Sequence, residues 1–205
     1  MASVLHVPLQ GTIRRVRHIQ IVTIVWMTIE ASVSLSAAWR ARSPALAAFG
    51  GDSVVELLSA AVVLWRFGSR DVQERAEKNA SRVAGTLLLA LAAFVVIASA
   101  ATMLGFGEPK PSYLGTGILM AATVIMPWLA WEKRKLSAIT GSAALKADAA
   151  ESALCAYLSL VSLAGIAVNA IWHFGWADPV AALVATPLIV IEGRKALRGK
   201  ACGCC

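Results

Sequence analysis

Residues 49–65 read FGGDSVVELLSAAVVLW, an apolar run broken by two carboxylates, Asp52 and Glu56, four positions apart. On a helix, positions i and i+4 share one face, a turn apart. Two like charges then meet in a segment otherwise suited to hydrocarbon. Such a pair costs a few tenths of a kcal/mol in water and more at low dielectric. It requires a neutralising partner: protons, a lysine or a metal cation.

The rest of the chain supplies the setting. Of 205 residues, 58% are hydrophobic and 15% charged, with a mean hydropathy of +0.69; soluble domains carry about a quarter charged residues. Runs of roughly 20 residues, enough to cross about 30 Å of hydrocarbon, recur at 18–39, 45–67, 83–106, 113–131, 147–171 and 177–193. This predicts an all-α membrane protein of six transmembrane helices with short connections. Residues 1–17 are expected to form a cytoplasmic N-terminal segment, 18–193 the six-helix transmembrane domain and 194–205 a basic, Cys-rich cytoplasmic tail. The first run is too long for the apolar region of a signal peptide and contains Glu30, so it reads as an uncleaved helix.

Orientation follows from the basic residues. With both termini on one side, that side holds Arg14, Arg15, Arg17, Arg66, Arg70, Arg75, Lys78, Arg82, Lys133, Arg134, Lys135, Lys146, Arg194, Lys195, Arg198 and Lys200. The other side holds Arg40, Arg42 and Lys110. This asymmetry makes both termini cytoplasmic and the number of spans even. The net charge of +7 therefore orients helices and meets lipid headgroups, and nucleic acid is not the expected partner. A multi-pass protein of the plasma (bacterial inner) membrane is expected.

Ionisable groups inside a span cost about 2.5–3.5 kcal/mol each and are functional candidates by default. Besides Asp52 and Glu56, the spans carry Glu30, near mid-membrane, and Asp148 and Glu151 at the start of the fifth. Glu151, Cys155 and Ser159 recur at intervals of four and share one face. Carboxylate oxygens with a thiolate suit a borderline divalent ion such as zinc. No lysine or arginine reads as lying deep in a span, which leaves protons and metal ions to neutralise the carboxylates. Glu30, Asp148 and Ser159 are auxiliary candidates, Asp148 as an entrance group. His6 lies in the N-terminal segment and His18 and His173 at span ends, so no histidine ligand is expected.

Other features read as structural. Trp26, Trp39, Trp65, Trp128, Trp131, Trp172 and Trp176 fall mostly near span ends, as an interfacial aromatic belt does. Asp178-Pro179 reads as an N-cap followed by proline at the first helical position. Cys202, Cys204 and Cys205 make no disulfide framework; as reduced thiols they could capture metal at the cytoplasmic mouth, be lipidated or be idle. No nucleophile–base set, phosphate loop or organic-cofactor motif is present, so an enzyme is not expected.

These motifs, in this order, resemble the cation diffusion facilitator (cation efflux) family. Asp52 and Glu56 fall on the paired ligand positions of its second helix. In the fifth helix, ADAAESALCAYLS (147–159) is similar to the family pattern A-D-x-x-H-x-x-x-D-x-x-x-S, with Glu151 and Cys155 at the ligand positions and Ala147, Asp148 and Ser159 matching. WADPVAALVATPLIVIEG (176–193) is similar to the family's sixth helix. The pattern departs from the family at Glu56, Glu151 and Cys155, and only RKALRGKACGCC follows the sixth helix, as in a short, divergent branch without the C-terminal cytosolic domain. The resemblance implies efflux of a divalent metal, zinc or another transition metal as substrate, coupled to protons in a homodimer. A metal-binding sensor without transport and a proton-coupled exporter of organic cations are the alternatives.

Overall fold

The computed structural model of the chain describes residues 10–68, 74–106, 109–110, 112–172 and 174–198. These form six helices: α1 (Gln10–Ala41), α2 (Pro44–Gly68), α3 (Glu74–Met103), α4 (Tyr113–Thr140), α5 (Ala143–Trp172) and α6 (Ala177–Leu197). Among the described residues there is no strand, and the protein is an all-α membrane protein. Five helices are long and apolar enough to cross a bilayer. The sixth falls outside that set and carries Asp178, Glu192, Arg194 and Lys195 within its 21 residues.

The helices overrun the apolar runs on the side expected to be cytoplasmic. α1 begins at Gln10 rather than 18, α4 continues to Thr140 rather than 131, and α6 ends at Leu197 rather than 193. Ser112 caps α4 by accepting from the Gly115 amide at 3.1 Å. Gly141, at φ 64°, ends α4 in the left-handed conformation glycine adopts without a Cβ penalty. Ser142 then accepts from the Leu145 amide at the start of α5. Proline interrupts α4 at Pro127 and α6 at Pro187, each removing one backbone donor.

α1, α2, α4 and α5 pack as a ring in which α1 touches α2 and α4, and α5 touches α4 and α2. α3 and α6 pack against each other on the flank of this ring, α3 on α2, and α6 on α5 and α2. Their contact is set by Gly85 and Gly193: a Cβ on Gly85 would lie 2.7 Å from the Gly193 carbonyl oxygen. Small residues let helix backbones approach in this way, which drives association where lipid removes the hydrophobic gain.

At one end of the bundle the Lys110 amide donates to the Ala41 carbonyl and Asp178 reaches Ser43. At the other end Arg15 pairs with Glu132 at 2.9 Å. Two sequence readings are corrected here. Trp176, not Asp178, occupies the N-cap of α6, without a side-chain cap bond, and Pro179 is the third helical residue. Asp178 instead faces the N-terminus of α2, accepting from the Ser43 hydroxyl at 2.5 Å and the Ala45 amide at 3.1 Å. Its role is a cap, but for a neighbouring helix.

Candidate ion site

The polar side chains of the four-helix ring point inward and fall into two clusters. The first lies toward the end of the bundle that carries the Arg15–Glu132 pair. Lys133 of α4 is fully buried, with its ammonium 2.9 Å from Asp148 Oδ2 and 3.3 Å from Glu56 Oε1. It also donates to Ser152 Oγ at 2.8 Å, and Ser152 donates in turn to Glu56 Oε1. From α1, Gln20 donates to Asp148 Oδ2 at 2.8 Å. Four helices thus converge on one buried ammonium.

This overturns the expectation that no lysine lies deep in a span. In the run WEKRK (131–135), Lys133 belongs to the buried stripe Met126, Leu129, Ala130, Lys133, Leu136 and Ser137, at the three- and four-residue spacing of an inward helix face. That stripe was the available signal. The charge-rich run conceals it because Arg134 and Lys135, one turn-step away, remain exposed.

The second cluster lies deeper. Asp148 and Cys155 are seven residues apart on α5, or about 10 Å along the helix axis. Glu30 of α1 is buried; its Oε2 accepts from Trp26 Nε1 at 2.7 Å and its Oε1 from Ser53 Oγ at 2.7 Å. The Cys155 thiol donates to Glu30 Oε1 at 3.3 Å and also lies beside Asp52. Trp26 is therefore tied to the site, whereas Trp39, Trp65, Trp128, Trp131, Trp172 and Trp176 face outward as a belt does.

Of the ligand positions expected from sequence, Asp52 and Cys155 are neighbours, whereas Glu56 is held by Lys133 and Ser152. Glu151 is half-buried, with the Ser59 hydroxyl facing it. Ser159 lies 3.2 Å from Thr123 of α4 and donates to the Ala156 carbonyl, and among the described residues it makes no hydrogen bond to an ionisable group. Among the described residues, no three His, Cys, Asp or Glu side chains converge closely enough to hold one ion in this conformation. Cys202, Cys204 and Cys205 lie outside the described residues.

The donor set nevertheless has spare capacity. Glu56 Oε2, Asp148 Oδ1 and Glu151 Oε2 are buried without any hydrogen-bond partner, as is Gln20 Oε1. Orphaned buried oxygens of this kind are costly and mark a place where a ligand, proton or water belongs. Among the described residues, the buried carboxylates Glu30, Asp52, Glu56 and Asp148, with the half-buried Glu151, stand against one buried ammonium, that of Lys133. Low dielectric does not tolerate that imbalance, so protons or a multivalent cation must complete it.

A search of curated proteins returns no match to the chain. The family model for the cation efflux transmembrane domain matches residues 20–200, which takes in all six helices and both polar clusters. By that match over most of its length, the chain belongs to the cation efflux (cation diffusion facilitator) family, whose members transport metal cations across membranes.

Proposed function

We propose that the protein exports a divalent transition-metal ion, zinc foremost, from the cytoplasm in exchange for protons, working as a homodimer. The observation that carries this reading is the set of unpartnered buried oxygens on Glu56, Asp148 and Glu151, facing a core with more carboxylates than cations. Asp52, Glu56, Glu151 and Cys155 bind the ion, a mixed oxygen and sulfur set suited to a borderline metal. Asp148 receives it at the cytoplasmic end, and Glu30 holds the Cys155 thiol in place. Ser159 supports the α4–α5 contact through Thr123.

In this mechanism Lys133 is a tethered stand-in for the substrate. Its ammonium covers Glu56 and Asp148 while the metal is absent, and metal arrival displaces it from Glu56. The ring then draws Glu56 and Glu151 toward Asp52 and Cys155, and protons entering from the far side compete for the same oxygens and release the ion. A site shared by protons and metal between helices that rock against each other is the general logic of a coupled exchanger. Metal binding therefore weakens as pH falls, because each carboxylate that takes a proton is lost as a ligand.

The test is zinc flux in proteoliposomes under an imposed pH gradient, repeated across a panel of divalent metals. Gradient-dependent flux that Asp52→Ala abolishes supports the reading. Absence of flux for every metal refutes transport, and equilibrium zinc binding without flux would assign the protein to the sensor class instead. Deleting residues 202–205 and measuring zinc affinity tests the tail thiols separately.

A further inference from the structure

The three basic residues on the side opposite the cytoplasm gather at one place. Arg40, Arg42 and Lys110 all line the mouth of a groove of about 990 Å³ between the α1–α2 hairpin and α3. The backbone brings them together. Arg42 takes φ 52°, a conformation that side-chain-bearing residues rarely adopt, in the tight turn between α1 and α2. The Lys110 amide donates to the Ala41 carbonyl at 2.8 Å, which pins the α3–α4 connection against that turn. Among the described residues no carboxylate pairs with any of the three.

Below the mouth the groove is apolar, with walls from Leu35, Gly51, Leu91, Phe94 and Ala98. Trp39 and Phe106, 88% and 75% exposed, stand at its rim. Aromatic side chains at this level mark the boundary between headgroups and hydrocarbon. The groove thus places cations at headgroup depth and an open apolar slot at acyl-chain depth.

We propose that this groove binds one anionic phospholipid of the leaflet opposite the cytoplasm, with its phosphate on Arg40, Arg42 and Lys110 and an acyl chain in the slot against Leu91 and Ala98. The charge decides the occupant. An apolar helix of a second copy would fill the slot but leave three cations at headgroup depth without a counter-charge, whereas an anionic headgroup neutralises them while its acyl chain fills the slot. The assignment is independent of which ion the core carries.

The test uses the full chain, stripped of lipid in detergent, with native mass spectrometry counting adducts of phosphatidylglycerol or phosphatidylcholine. The expected result is one phosphatidylglycerol per chain, retained under activation that removes phosphatidylcholine. Each substitution among R40Q, R42Q and K110Q lowers that preference about fivefold, and Ala98→Phe weakens both lipids. Unchanged thermal unfolding of K110Q alone guards against loss through misfolding, and in the unaltered protein rising salt erodes the preference. Equal retention of both lipids, or full retention by the triple variant, overturns the proposal. So does loss of a dimer without any lipid adduct, which would seat a second copy on this face.

Discussion

The four-helix ring and the α3–α6 pair solve the same problem in opposite ways. Both must hold helices together in a solvent that gives no hydrophobic gain for doing so. The ring uses buried ionic and polar contacts: Lys133 with Glu56 and Asp148, Gln20 with Asp148, and Glu30 with Ser53 and Cys155. The pair uses shape. Gly85 and Gly193 bring the α3 and α6 backbones together, with Leu197 against Gly85 and Leu88 and Leu89 against Gly193. Among the described residues its buried polar side chains are Ser99, Thr186 and Asp178, and Asp178 serves α2 rather than the pair. Contacts between charges can exchange partners, whereas glycine packing cannot be loosened without loss. On the proposed mechanism the ring is the part that rearranges, and the pair the part that stays fixed.

The sharpest way to break this contrast is Lys133→Ala. It leaves Glu56 and Asp148 buried without their cation, so the loss of stability should reach about 3–5 kcal/mol in detergent unfolding. Adding Glu56→Gln should recover part of it; a loss below about 1 kcal/mol would mean that the ring does not depend on its ammonium. Asp52→Ala comes next. Zinc flux in proteoliposomes should fall by at least about 100-fold, with little change in unfolding. A smaller effect is expected from Gly193→Val, which crowds the Gly85 carbonyl and should cost about 1–3 kcal/mol. Zinc affinity of the folded fraction should stay unchanged, and a changed affinity would erase the division between the two regions. Smallest is Asp178→Ala, which removes a cap from α2 and should cost about 1 kcal/mol by thermal unfolding while flux persists.

Much of this was readable from residues alone. Apolar runs placed the six helices in order, although α6 falls short of the apolar length of a span, and four-residue spacing gave the faces Asp52–Glu56 and Glu151–Cys155. What escaped was long-range pairing. Lys133 sat in a run that looked solvated because the apolar stretch ends at Trp131, yet α4 continues two more turns inside the bundle. Asp178 carried a correct capping chemistry, but its partners Ser43 and Ala45 lie more than 130 residues away, beyond any local pattern. Glu30 was legible as buried but not as the acceptor of the Cys155 thiol, since that contact depends on how α1 rests against α5.

The pairing of Glu56 with Lys133 also constrains how the protein is made. Glu56 precedes Lys133 by 77 residues and Ser152 by 96. A ribosome delivering the chain from its N-terminus therefore places α2 in the membrane before its ammonium partner has been synthesised. During that interval the α2 carboxylates must travel as protonated acids or linger beside the insertion machinery. Arrival of α4 and α5 ends the interval. Charge balance in this core is a late event of biosynthesis, and a chain truncated before Lys133 should be recognised by quality-control proteases as an orphan.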